Sequence, residues 1–136
     1  ASYAAWATTH GLTGASAQPG ATPYRDGVPN LLKFALNLTG AGPDSRRMVA
    51  GGGTGGLPCI EPWGQGAGRT LRFEFVRRTA SGLIYTPQMS TDLAVWLNLT
   101  AAPASTTPID SEWERVVYEG PATTSPMFGR LEVRLP

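Results

Sequence analysis

The sequence predicts a mainly β protein of the α+β class, in which a small antiparallel β-sandwich or curled sheet carries two short N-terminal helices. Three observations support this prediction. Hydrophobic and polar residues alternate in the second half of the chain, as they do in half-buried strands. Turn formers are abundant, with 17 Gly and 12 Pro, while charged residues make up only 15%. A length of 136 residues suits a single domain with one core, here residues 1–136.

Residues 1–40 are expected to form a short helical motif. The first helix is predicted to start after Ser2, a typical N-cap residue, and to end at Gly11. A second helix is expected from 31 to 38, behind Pro29, because Leu and Phe recur there at helical spacing. The two helices should pack against each other through Trp6, Leu31, Phe34 and Leu38.

Residues 41–68 form a glycine-rich connector in this prediction. Glycines are concentrated at 51–53 and 55–56, and apolar residues are few. Since glycine loses much conformational entropy on ordering, the segment is expected to be mobile or irregular rather than part of the core. It leaves room for one short strand.

Residues 69–136 are predicted to form the antiparallel sheet. The alternation at 71–75 gives the strongest strand in the chain. The Ala-Ser-Gly sequence at 80–82 predicts a hairpin that returns through 83–86. Pro87 then indicates a bulge or an edge position, because proline cannot donate to a strand ladder.

The rest of this half contains one turn and two further strands. Capping residues at the start of 90–96 predict a turn that directs Leu93 and Trp96 into the core. Strands are expected at 113–119 and 127–135, where apolar and polar residues alternate. Sequential antiparallel strands joined by turn-rich links indicate a small β-sandwich or a curled sheet, with the N-terminal helices on it or beside it.

Composition excludes several classes of function. Eleven basic and ten acidic residues give a net charge of +1, which provides no field for nucleic acid or an anionic membrane surface. No stretch approaches the length of a membrane span. Cys59 is the single cysteine, so neither an intrachain disulfide nor a thiolate metal cluster is possible. The first residues lack the pattern of a signal peptide, which leads us to expect a mature product or an excised piece.

Residues 26–36, with the sequence DGVPNLLKFAL, begin a series of segments that resembles a known family. The later segments, in chain order, are Phe73–Arg78, Tyr85-Thr86, Ser90–Leu93 with Trp96, and Arg130–Leu135. The series is similar to the C-terminal or repeat module of large secreted and cell-surface bacterial proteins of the verrucomicrobial, autotransporter-associated type. The resemblance covers nearly the whole chain. It implies an extracellular or cell-surface bacterial location.

The family's loop before the second helix looks like a dockerin or EF-hand calcium loop, in which carboxylates at positions 1, 3, 5 and 12 bind the ion. Matched to that motif, these positions are Thr22, Tyr24, Asp26 and Lys33, while Gly27 and Asn30 are kept at positions 6 and 9. Three of the four acidic ligands are missing, so the resemblance implies a degenerate calcium loop. We expect no metal or other cofactor here, and we expect a contact between Asp26 and Lys33 to replace the ion.

The sequence contains no convincing catalytic set, and we expect a protein that is not an enzyme. His10, the only histidine, lies at a helix end, where surface or capping roles are usual. Cys59 has apolar neighbours that suit an inert thiol. Glu112 and Glu114 share one face of a strand, but such pairs are usually solvated. The glycines at 51–56 are not followed by the Lys-Ser/Thr of a phosphate loop.

Four tryptophans are the best remaining indication of binding. Trp63 lies among Pro, Gly and Gln without a periodic core pattern, so its ring is a candidate stacking platform, and Trp113 and Tyr24 are weaker candidates. The favoured function is a non-catalytic extracellular structural or interaction module. It would contact itself or other surface proteins, for instance by self-association at sheet edges near Pro87 and strand 127–135. The alternative is a carbohydrate-binding accessory domain that holds a polysaccharide.

Overall fold

The computed structural model describes residues 2–122 and 127–136, and in them the predicted fold class is confirmed. The four-stranded sheet has the order β1-β2-β6-β5, the three-stranded sheet has the order β4-β3-β7, and both are antiparallel. The elements are α1 (Tyr3–Thr9), α2 (Asn30–Ala35), β1 (Cys59–Trp63), β2 (Thr70–Arg78), β3 (Ile84–Ser90), β4 (Leu97–Asn98), β5 (Ser105–Pro108), β6 (Trp113–Pro121) and β7 (Phe128–Arg134).

The main core lies between the two sheets. Phe73, Phe75 and Val116 are completely buried in it, and the ring of Phe75 stacks on Tyr118 at a centroid distance of 5.7 Å. Met89 of β3 joins this cluster from the opposite sheet. The alternation read at 71–75 therefore marks the inner face of β2.

Two glycines let the sheets approach each other closely. A Cβ atom on Gly129 of β7 would lie 2.7 Å from a methyl carbon of Leu71 and 2.8 Å from the ring of Phe73. A Cβ atom on Gly120 of β6 would overlap the sulfur of Met89. The face-to-face packing therefore depends on the absence of a side chain at both positions.

The helices form a second, smaller cluster at the N-terminus. The Oγ atom of Ser2 accepts a hydrogen bond from the N–H of Ala5 at 3.2 Å, which confirms the predicted N-cap of α1. Trp6 and Phe34 pack edge to face at 5.6 Å, as the helical spacing predicted. Helix α2 ends earlier than expected because Asn37 adopts a left-handed φ of 57°.

Both sheets hold the C-terminal end of α2 in place. The guanidinium Nε of Arg78 donates to the carbonyl of Phe34 at 2.7 Å, and the hydroxyl of Tyr85 donates to the carbonyl of Ala35 at 2.7 Å. Burial raises the pKa of Tyr85 to about 12, so the donor stays protonated. The helical motif is thus a packed part of the domain. None of the helices in the described ranges is long and apolar enough to cross a bilayer.

The glycine-rich connector packs on the outer face of the four-stranded sheet, which corrects the expectation that it lies outside any core. Met48 is buried in a small cluster with Val76 and Trp113. A Cβ atom on Gly56 would lie 2.5 Å from the nitrogen of Met48, so a glycine is needed for this close backbone contact. The short strand for which the prediction left room is β1, Cys59–Trp63.

The predicted hairpin between β2 and β3 is wrong. The turn at 80–82 instead carries the chain from one sheet to the other, since β2 pairs with β1 and β6. Pro87 is also not at an edge, because β3 is the central strand of its sheet and Pro87 is fully buried. The carbonyl of Pro87 accepts a hydrogen bond from the N–H of Leu99, on the β4 side of the strand. The nitrogen and the carbonyl of one residue point to the same side of an antiparallel strand, so the nitrogen of Pro87 also faces that side, where β4 pairs only with Gln88 and Met89. The missing N–H therefore costs nothing in the ladder with β7.

The turn at 90–96 forms as its capping residues predicted, but it does not bury Leu93. The Oγ of Ser90 accepts the N–H of Leu93 at 2.9 Å, and Asp92 caps the following N–H groups of Ala94 and Val95. Leu93 adopts φ 65° and is 58% exposed, because the capped turn directs its side chain outward. Trp96 is half-buried, with the guanidinium of Arg130 4.1 Å from its ring centroid.

Candidate functional site

The loop before α2 has a buried lysine at its centre. The Nζ of Lys33 lies 2.6 Å from the carboxylate of Asp26 and donates to the carbonyl of Gly42 at 3.1 Å. The ring of Tyr24 faces the same ammonium at a centroid distance of 5.0 Å. The Lys33 side chain is 0% exposed. The predicted contact between Asp26 and Lys33 is therefore present.

Asp26 is held as a carboxylate by its surroundings. Its two oxygens accept the N–H groups of Val28 at 3.1 Å and Asp44 at 2.9 Å, in addition to the Lys33 ammonium. Burial opposes ionisation, but these hydrogen bonds outweigh it and lower the pKa of Asp26 to about 2. The loop is thus closed by an ion pair that also fixes the backbone at Asp44.

The residues of this loop do not fit a calcium ion. An ammonium group occupies the position where the motif has its bidentate carboxylate, and Asp26 is the only carboxylate among the four matched positions. Gly27 keeps its motif role, with φ 76° at the sharp turn. Asn30 is turned away, because its side-chain nitrogen donates to the carbonyls of Ser16 and Gln18. In the described ranges, no three His, Cys, Asp or Glu side chains are grouped as metal ligands.

The three aromatic binding candidates have different surroundings. Trp113 is 6% exposed and stacks on Arg78 at 4.3 Å, so it is a core residue and its ring is not an accessible platform. Tyr24 is half-buried and contacts Lys33, within the closed loop. Trp63 is 49% exposed at the end of edge strand β1. Of the three, Trp63 is the accessible platform.

The strand register places a polar row beside Trp63. Glu61 of β1, Arg72 of β2 and Glu119 of β6 are direct partners across three neighbouring strands on the outer face of the sheet. The guanidinium of Arg72 lies 4.2 Å from the centroid of the Trp63 ring. The next row contains Trp63 and Thr70. An aromatic face, a hydroxyl and two carboxylates thus converge on one area.

A second exposed surface is apolar and was not predicted. Leu93, Val95 and Leu97 are 58%, 63% and 68% exposed, and we call these three residues the apolar patch. Val95 and Leu97 of the patch line a groove of about 400 Å³, together with Met89, Leu99, Pro121 and Met127, whereas Leu93 is not among its lining residues. The capping sequence of the turn marked its position. The outward direction of the side chains could not be read from it.

The remaining chemical candidates have ordinary structural surroundings. The Nδ1 of His10 is 2.8 Å from the carbonyl of Trp6 at the end of α1. Burial raises the pKa of Cys59, which suits an unreactive thiol. Glu112 and Glu114 form ion pairs with Arg78 and Arg77 at 3.3 Å and 2.7 Å.

Comparison with known proteins adds no further constraint. Neither a protein-family model, nor a curated protein, nor a solved structure matches this chain. The resemblance to the bacterial surface module therefore stays a prediction.

Proposed function

We propose that this chain is a non-catalytic extracellular module of a bacterial cell-surface or secreted protein, and that it self-associates through the apolar patch. The location rests on the resemblance of residues 26–36 and the segments that follow them. The observation that carries the self-association is the exposure of Leu93, Val95 and Leu97, the last two of which line an apolar groove. Contiguous exposed apolar surface is typical of protein interaction sites.

Backbone strain at Leu93 supports a role for the patch. A bulky residue in the left-handed region costs roughly 1 to 2 kcal/mol, and at Leu93 that conformation turns an apolar side chain toward solvent. Neither the strain nor the exposure stabilises an isolated domain. Both are accounted for if a second copy covers the side chain, because the same patch on two chains can form a symmetric contact.

Light scattering over a range of concentrations tests the proposal. The wild-type mass is expected to rise with concentration. Leu93→Asn should weaken this association while stabilising the fold, because asparagine tolerates φ 65°. Val49→Ser is the matched control, since Val49 is 71% exposed in the connector, away from the patch. A wild-type chain that stays monomeric at millimolar concentration, or equal association in Leu93→Asn, contradicts the proposal.

A second candidate function is carbohydrate binding. The observation that favours it is the exposed ring of Trp63 on the outer sheet face, beside polar side chains. Aromatic rings with adjacent hydrogen-bonding groups suit a ligand that has both apolar faces and hydroxyls. The two candidate surfaces meet at Glu119, which lines the apolar groove and is also the cross-strand partner of Arg72.

A further inference from the structure

We infer that the outer face of the four-stranded sheet at Trp63 is a site for a neutral, linear polysaccharide, with one sugar ring stacked on the indole. This inference rests on the carbohydrate-binding candidate above. It adds the position of the sugar, the side chains that bind its hydroxyls, and the charge class of the ligand. The site consists of Trp63, Glu61, Thr70, Arg72 and Glu119.

The indole of Trp63 is held with one face toward solvent. The guanidinium of Arg72 lies against the ring at 4.2 Å from its centroid. The Arg72 side chain is 25% exposed and its Nε is buried, without a hydrogen-bond partner among the described residues, whereas Trp63 is 49% exposed. The ring therefore covers the guanidinium and leaves its other face open. A ring fixed in this way loses little entropy when a sugar stacks on it.

The hydrogen-bonding groups lie within reach of a ring stacked there. Neighbouring strands are about 5 Å apart, and residues two positions apart along a strand are separated by about 7 Å. Glu61 is two residues from Trp63 on the same face, Thr70 is its cross-strand partner, and Glu119 lies beyond Arg72 in the next strand. Carboxylates accept hydrogen bonds from sugar hydroxyls, and so can the Thr70 hydroxyl, which itself donates to the carbonyl of Trp63 at 3.4 Å.

The surroundings of the site leave it open to a long chain. The connector covers the other half of this face, where the N–H of Gly51 contacts Glu74 and the Nε of Arg115 donates to the carbonyl of Gly53. Trp63 lies on β1, which is the edge strand of the sheet, and Gly64 and Gln65 beyond it are exposed. A linear polymer can therefore pass over the indole and continue past the sheet edge.

The charge of the row selects against acidic ligands. Two carboxylates flank one guanidinium, and that guanidinium is also 3.9 Å from the carboxylate of Glu74. A uronate or sulfate group placed beside Trp63 would meet Glu61 and Glu119 with its charge uncompensated. Neutral sugars avoid this repulsion, so the site favours a neutral polysaccharide over an acidic one.

Affinity gel electrophoresis tests the inference with three proteins and two kinds of gel. Gels contain either a neutral polysaccharide, such as a soluble glucan, xylan or mannan, or the acidic polysaccharide alginate. The proteins are the wild type, Trp63→Ala and Trp96→Ala. Trp96 is the matched control because its ring also stacks on an arginine, Arg130 at 4.1 Å, but in the other sheet.

We expect retardation of the wild type and of Trp96→Ala in at least one neutral gel. Trp63→Ala should bind that polysaccharide about tenfold more weakly or not at all, because it loses the stacking face. Its circular dichroism should match that of the wild type, since half of the ring is already exposed.

Three results overturn the inference. Retardation of the wild type by alginate alone contradicts the charge argument. Equal retardation of the wild type and Trp63→Ala in a neutral gel removes this site but leaves the carbohydrate-binding candidate standing. Mobility unchanged in every gel removes both. Trp63→Phe provides a further check, because it keeps an aromatic face and should retain part of the retardation.

Discussion

Lys33 is the residue that distinguishes this loop from a metal-binding one. It is completely buried and compensates Asp26, which accepts two backbone N–H groups as well. The sequence places a lysine at the last ligand position, and from this we predicted its contact with Asp26. The contacts with Gly42 and Asp44 were not, because they come from a segment that joins the loop only in the folded chain.

Removal of the ammonium should destabilise the domain strongly. Lys33→Met leaves the buried Asp26 carboxylate without its charge partner, and we expect a loss of about 3 to 5 kcal/mol in the free energy of unfolding. The double variant Asp26→Asn with Lys33→Met removes both charges and should recover most of this loss. Urea unfolding gives the free energy of unfolding of the wild type, Lys33→Met and the double variant. Equal stability of Lys33→Met and the wild type would show that the pair does not stabilise the loop.

The same carboxylate should make stability depend on acid pH. In the unfolded chain Asp26 titrates near its usual pKa of about 4, and in the folded chain its pKa is about 2. The native state therefore favours the ionised form, so the stabilisation is complete above about pH 4 and is lost as the pH falls toward 2. Unfolding free energies measured across this range should fall more steeply for the wild type than for Asp26→Asn. Parallel curves would contradict the assignment.

At the scale of elements, alternation predicted strands but not their partners. Strands form at 71–75, 113–119 and 127–135, where apolar and polar residues alternate in the sequence. The sheet that each strand joins depends on long-range pairing, and the predicted hairpin at 80–82 failed for that reason. The glycine content of the connector suggested mobility, because composition indicates only the conformational entropy that glycines lose on ordering. The close contact at Gly56 that requires glycine exists only after packing.

The spacing of the two sheets gives a prediction about two glycines. Gly129→Ala should cost about 1 to 3 kcal/mol, because its Cβ would meet the ring of Phe73 at 2.8 Å inside the packed core. Gly120→Ala should cost less, because its Cβ would meet the end of the flexible Met89 side chain. Thermal unfolding of both variants checks the order. A smaller loss for Gly129→Ala than for Gly120→Ala would contradict this account of the sheet packing.

At the scale of the whole molecule, the sheet edges are poorly suited to pairing with another chain. β1 contains Pro62, β5 contains Pro108, and β4 has two residues. Edge strand β7 carries Arg130, Glu132 and Arg134. Prolines, short strands and charges are common means of preventing edge association. We therefore place the proposed self-association at the apolar patch and not at the edges near Pro87 and β7.

Only part of the candidate sites could be predicted at this scale. Trp63 was chosen as a binding candidate because it lacks a periodic core pattern, whereas Trp113, the weaker candidate at the start of a predicted strand, is buried against the connector. The row formed by Glu61, Arg72 and Glu119 requires the register of three strands. Residues as distant in the chain as Glu61 and Glu119 cannot be aligned across a sheet without that register.

Amide hydrogen exchange in dilute and in concentrated solution tests the central claim most directly, because it reports both association and its location. If the domain self-associates through the apolar patch, amides at 91–101 should exchange more slowly in the concentrated sample, and those of β7 should be unchanged. Slower exchange along Phe128–Arg134 would instead identify the sheet edge as the contact. Exchange that is the same at both concentrations throughout the chain would contradict self-association itself.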